Sequence, residues 1–196
     1  MRWLTACAPC RRCLHERAGP PQARNPQCAA RRYPKSADPK ALYQEVILDH
    51  NRKPRNFGPL DRASHRAEGH NPLCGDHLSV ALGIAGETIE RIAFEGESCA
   101  ICKASASMMT VTVKGKALPQ VQALIGEFLA MTTGRLDPTG PHQIGRLAVF
   151  AGVRNLPTRV KCAVLPWHTL QAAIDSQAQV CTETDADPST HRTDAP

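Results

Sequence analysis

The spacing of apolar positions along this chain changes several times, and each change marks an element. Ser36-Ala37-Asp38-Pro39 supplies capping residues and a proline suited to a first helical turn. Leu42, Val46 and Ile47, with Tyr43 and His50, then mark one face of a short helix. Asn51 to Pro72 is polar and holds prolines and glycines, so it reads as an irregular connection. From His77 the period becomes two: Leu78, Val80, Leu82 and Ile84 alternate with His77, Ser79, Ala81 and Gly83, which predicts a half-buried strand. Gly86-Glu87 provides a turn, and Ile89 to Glu95 is the returning strand of an antiparallel hairpin. After Gly96 the pattern is helical as far as Lys114-Gly115-Lys116. Pro119 to Thr132 predicts a second helix, with Val121, Leu124, Ile125, Phe128 and Leu129 at helical spacing. Gly134 to Gly140 reads as a loop, Gln143 to Gly152 as a short apolar helix, and Thr158 to about Ser176 as a last helix. Strands first and helices afterwards predict an α+β fold, a small antiparallel sheet with helices packed on one face.

The two ends lack this periodicity. Residues 1–37 contain Pro9, Pro20, Pro21, Pro26 and Pro34, and residues 178–196 are polar and proline-containing. They read as a disordered basic extension and a disordered tail around one domain at 38–177. The whole chain carries a formal charge of +6, but eight of its basic residues stand against Glu16 alone within 1–37, so the remainder is close to neutral. With 4% aromatic residues and no basic stripe in the domain, a nucleic-acid partner is not expected. No apolar run approaches the roughly 18 residues of a membrane span.

Nine cysteines is an odd number, and no secretory signal accompanies them, so a reducing, cytoplasmic compartment is expected. There, clustered thiols serve metal binding or sulfur chemistry. Cys74, Cys99, Cys102 and Cys162 fall inside the predicted domain. In the extended stretch around Cys74-Gly75-Asp76, residues two apart project to one side, so Cys74 and Asp76 can face one ion. Cys99 and Cys162 stand at helix starts, where partial positive charge favours a thiolate. Three thiolates and a carboxylate are suitable ligands for tetrahedral zinc. The spacing is too loose to be a metal signature by itself, and a buried cysteine is often a small core residue. The residues alone therefore reach a thiolate metal or sulfur site.

Several motifs together go further: Leu42-Tyr43-Gln44-Glu45-Val46-Ile47-Leu48-Asp49-His50, Asn71-Pro72-Leu73-Cys74-Gly75-Asp76, Phe94-Glu95-Gly96-Glu97-Ser98-Cys99, Ala104 to Thr110 and Arg159-Val160-Lys161-Cys162-Ala163. In order and without a large gap, from about Leu42 to Ala173, they resemble the SufU branch of the IscU/NifU-like iron–sulfur assembly proteins. The resemblance implies that Cys74, Asp76, Cys99 and Cys162 bind zinc or, in the scaffold branch, a transient iron–sulfur cluster. It implies that Cys74 accepts persulfide sulfur from a SufS-like cysteine desulfurase once a desulfurase histidine has replaced it on zinc, and that Arg159 is a basic position near the site. Downstream iron–sulfur assembly proteins are the implied recipients. Lys161 stands where the scaffold branch has a histidine, and Leu156-Pro157-Thr158-Arg159-Val160 departs from that branch's chaperone motif. Met131 to Asn155 is similar to the insertion that distinguishes the SufU branch.

Three features depart from the family pattern. Cys102 stands where serine is usual, with Lys103 after it. Pro166 interrupts the last helix and predicts a kink close to Cys162. The extension at 1–37 has no counterpart. Cys99-x-x-Cys102 has redox spacing, but no thioredoxin-like pattern surrounds it, so Cys102 reads as a spare thiol beside the ligand Cys99.

Overall fold

The computed structural model describes residues 39–182, with side chains described from 44 onwards. The extension predicted at 1–37 lies outside the described residues.

Helix α1 (Pro39–Arg52) opens on the expected proline and leads through an irregular segment to β1 (His65–Asn71). The connection predicted from Asn51 to Pro72 is therefore shorter than its sequence suggests, and 65–71 within it is a strand. β2 (Asp76–Ala85) and β3 (Thr88–Glu97) form the predicted hairpin, with Gly86 at φ +58° in the turn. α2 (Ala100–Val113), α3 (Leu118–Thr132), a 3₁₀ helix (Gly145–Asn155) and α4 (Pro157–Ile174) follow. A last short strand, β4 (Gln179–Cys181), lies where a disordered tail is predicted from 178. The folded unit thus extends past 177.

The sheet order is β3-β2-β1-β4. The β2–β3 hairpin is antiparallel, as expected, and the unexpected β1 joins it antiparallel, but β4 runs parallel to β1, so the sheet is mixed. Parallel neighbours need a long crossover, and here the whole run of helices supplies it. α4 packs across β1 and β2, and α2 packs against both α4 and β3. Leu78, Val80 and Leu82 of β2 meet Met109, Leu165 and Trp167 in one core. Trp167 stacks on Phe128 of α3, centroids 4.4 Å apart, and Phe150 of the 3₁₀ helix meets the same ring edge-on.

β2 is not half-buried. Its outer positions Ser79 and Ala81 are also covered. Arg66, opposite Ala81 on β1, pairs at 3.0 Å with Glu95, opposite Ser79 on β3, so their side chains arch across the central strand. Long charged residues cover apolar surface with their stems in this way while the charged heads stay wet.

α4 runs without interruption through Pro166. Beside this proline, Ser105 of α2 donates its hydroxyl to the carbonyl of Ala163 (2.7 Å) and accepts from Trp167 Nε1 (3.2 Å). A fully buried hydroxyl thus links α2 to α4, the elements that carry Cys99 at the N-cap and Cys162.

Candidate metal centre

The first hairpin sets two of the donors. Asn71 and Asp76 pair at the closed end of β1 and β2 and are both buried; Pro72-Leu73-Cys74-Gly75 forms the turn between them. Gly75 sits at φ +70°, a conformation glycine adopts without steric cost. Asn71 Oδ1 accepts from the backbone N–H of Leu73 at 3.2 Å, shaping the turn. Its amide Nδ2 donates to Cys162 Sγ at 3.6 Å. Cys74 is exposed at the tip.

The other two donors come from helix starts. Cys99 is the N-cap of α2, and its sulfur accepts from the backbone N–H of Cys102 at 3.5 Å. Cys162, in the second turn of α4, is buried. Cys74 Sγ, a carboxylate oxygen of Asp76 and Cys162 Sγ all lie within 4.8 Å of one another. The Cys162 thiol donates to Cys74 Sγ at 3.0 Å. Cys99 joins through two contacts: its backbone N–H donates to Asp76 Oδ1 at 2.6 Å, and its sulfur shares the proton of Cys162.

The electrostatics divide the thiols. Hydrogen bonding from Cys162 holds the Cys99 thiol down to about 7, against the opposing effect of burial. Cys162 is raised, chiefly because it donates to Cys99 and is desolvated, with Cys74 and Asp76 adding to the effect. Cys162 is thus the thiol of this pair that holds its proton, and ionising it beside Cys99 and Asp76 would crowd negative charge together. A cation is what such a group accommodates. Asp76 Oδ2 carries the same message: it is buried and has no hydrogen-bond partner among the described residues. An orphaned carboxylate oxygen on a residue grouped with two cysteine sulfurs suits a borderline-soft divalent ion such as zinc.

Of the residues expected at the site, the structure gathers the ligand atoms of Cys74, Asp76 and Cys162; the Cys99 sulfur lies outside that 4.8 Å group and adjoins it through Asp76 and Cys162. Arg159 is one turn before Cys162 on α4 and exposed; its guanidinium has no ion-pair partner among the described residues. Cys102 is fully buried in the core, its thiol pushed well up by burial and by the negative charge of Asp76 and Cys99. It is part of the core, with its thiol still close enough to Asp76, Cys99 and Cys74 for their charge to act on it. Asn71, which had no assigned role, emerges as the residue that ties the turn to Cys162. The only signal for it in the sequence is its place two residues before an amide at a tight turn, the pattern of an Asx-turn.

The fold and this donor set define a small α+β protein with a group of side chains that could hold a metal ion between a hairpin tip and a helix start. Residues 42–182 match the NifU-like N-terminal domain family, so the chain belongs to that family, the IscU/SufU group of iron–sulfur cluster assembly proteins. It is 38% identical over 137 residues to the iron–sulfur cluster assembly scaffold protein IscU of Streptococcus pyogenes, covering 70% of this chain and 85% of that one. It is 36% identical over 139 residues to the zinc-dependent sulfurtransferase SufU of Bacillus subtilis, covering 71% and 93%. A solved structure from Fervidobacterium islandicum, described as an iron–sulfur cluster assembly scaffold protein for the SUF system, is similar with a TM-score of 0.63 at 32% identity, over 68% of this chain and 96% of that one.

Proposed function

We propose that this protein is a zinc-dependent acceptor and carrier of persulfide sulfur, taking it from a SufS-like cysteine desulfurase in the cytoplasm and passing it to downstream assembly proteins of the SUF system. One observation carries this reading: among the four ligands only Cys74 is exposed, while Asp76 and Cys162 are 1% and 2% exposed and Cys99 caps a helix. One ligand is free to leave and three are anchored. Zinc held by Cys74, Asp76, Cys99 and Cys162 would keep its thiol ligands ionised at neutral pH.

The chain's own residues do the rest. Cys74, as thiolate, attacks the terminal sulfur of a protonated persulfide on the partner. A sulfur–sulfur bond to Cys74 forms as the partner's own sulfur–sulfur bond breaks; the partner's cysteine leaves as thiolate, and the transferred sulfur keeps its proton. Asn71 holds the turn that presents Cys74. Arg159, exposed at the start of α4, offers a cation to the departing thiolate. The likeness to SufU supports this reading, as do Lys161 before Cys162 and the Leu156 to Val160 segment.

The likeness to IscU supports a second reading, in which the same four ligands assemble a nascent iron–sulfur cluster as cargo. Desulfurase turnover with wild type and Cys74→Ala tests the first: stimulation by wild type and none by the variant is expected, and full stimulation by the variant overturns it. Anaerobic reconstitution that yields a stable, transferable cluster favours the second.

A further inference from the structure

The face of the sheet turned away from the helices carries another set of metal-ligating side chains. His70 of β1 is in register with His77 of β2 on one side and with Cys181 of β4 on the other. Residues in register on neighbouring strands project to the same face. Two imidazoles and a thiol therefore stand in one row across three strands. The rings of His70 and His77 are 6.4 Å apart, centroid to centroid. Glu68, two residues before His70 and on the same face, brings a carboxylate oxygen to 3.5 Å from Nε2 of His77. All four side chains line an open cleft of about 680 Å³.

Packing does not account for the two imidazoles of this row. His70 and His77 are exposed, and a half-exposed His–Glu pair adds little stability. Two imidazoles side by side also repel each other once protonated. What the three residues share is ligand chemistry: imidazole nitrogen and thiolate select zinc and similar borderline-soft divalent ions, with bonds of about 2.0–2.3 Å.

We propose that His70, His77 and Cys181 form a second cation site, for zinc or a similar divalent transition metal, with Glu68 accepting from the ring of His77 to fix its orientation. The backbone register already sets the three residues side by side. Their ligand atoms are not gathered into one coordination sphere, so binding an ion would require side-chain rotation. For His77 and Glu68, whose side chains are 55% and 48% exposed, that rotation takes place largely in solvent. Carboxylate partners of this kind commonly orient a ligating histidine.

The position gives the site a consequence. His70 and His77 each adjoin a residue of the first centre, Asn71 and Asp76, on the opposite face of the same hairpin end. An ion on the outer face would fasten β4 across β1 to β2 and stiffen the hairpin that presents Cys74. β4 is only three residues long, so it has most to gain.

The test is a zinc titration of full-length protein, already loaded at the first centre, in competition with a chromophoric chelator. Wild type is expected to take up one equivalent more than His70→Ala/His77→Ala, and Cys181→Ser to bind that equivalent at least about tenfold more weakly, an effect of about 1.4 kcal/mol. Both chains carry the same N-terminal thiols, so uptake there cancels in the comparison. Equal uptake by wild type and the double variant overturns the proposal; so does wild-type affinity in Cys181→Ser. Should the double variant fail to fold, His77→Gln alone decides in the same way. The first centre is read separately by the desulfurase assay, so failure here leaves that reading standing.

Discussion

Asp76 and Cys99 are joined by a 2.6 Å hydrogen bond from the backbone N–H of Cys99 to Oδ1 of Asp76, so the start of β2 and the start of α2 share one fixed point. The second carboxylate oxygen has no partner among the described residues. One oxygen positions a ligand while the other remains available to be one.

Asp76→Asn separates those roles. The amide oxygen still accepts from Cys99, so folding should change little, while the ligand charge is gone. Zinc affinity, measured by chelator competition, should fall at least about tenfold, or about 1.4 kcal/mol. Unchanged affinity would show that Asp76 serves the fold alone.

Ser105→Ala removes the hydroxyl shared by Ala163 and Trp167 and leaves a buried indole N–H without an acceptor. Leaving such a group unpaired costs about 1–3 kcal/mol, which urea unfolding will read. The same change loosens the spacing of α2 and α4, so zinc affinity should drop with it. A loss of stability with zinc binding intact would separate the bridge from the site.

Cys99 should be the thiol most readily ionised in metal-free protein. Its pKa, lowered to about 7 from an ordinary 9.0, predicts an alkylation rate with a midpoint near pH 7, located by peptide mass spectrometry. The folded value lies below the unfolded one. Its contribution to stability is therefore complete above pH 9 and is lost as the pH falls through about 7. Cys162 and Cys102, both raised, should stay unmodified at neutral pH. Labelling of Cys102 as fast as Cys99 would contradict its place in the core.

Gly96→Ala meets two obstacles. Gly96 sits at φ +130°, and a Cβ there would run into the carbonyl oxygen of His77 and approach the Cα of Leu78 at 2.8 Å. Either strain costs on the order of 1–3 kcal/mol. Because Gly96 precedes Cys99 by three residues, thermal stability and zinc affinity should fall together.

The strands and helices that carry aliphatic residues at a regular period were legible in the sequence, β2 and α3 most plainly. β1 was hidden because its inward positions are Ala67, Gly69 and Asn71. They are small for a reason: a Cβ on Gly69 would collide with Thr169 and come within 3.0 Å of Leu165, so α4 rests almost on the backbone. Close packing thus removes the large residues that would announce a strand. β4 was hidden differently, since three residues carry no period and their pairing with β1 depends on a partner more than a hundred positions away. The candidate donors Cys74, Asp76, Cys99 and Cys162 were legible once several motifs were read together, and the structure brings the ligand atoms of Cys74, Asp76 and Cys162 to one place. Their division into one exposed and three anchored ligands was not, because it arises from the turn at Gly75 and from packing on α4. Cys102 read as a spare thiol beside Cys99, and its complete burial was not legible, because it arises from how α2 packs.

The parallel strand at the end of the described chain has a practical meaning for anyone who trims this protein. A cut at Gln177, where the sequence suggests that structure ends, would remove β4 and strip β1 of its outer neighbour. The backbone of Glu68 donates to Ala178 and that of Thr182 to His70. Without those bonds β1 becomes an unguarded margin, open to the strands of other molecules. A shortened version would gather into aggregates for want of a few residues that look dispensable on paper.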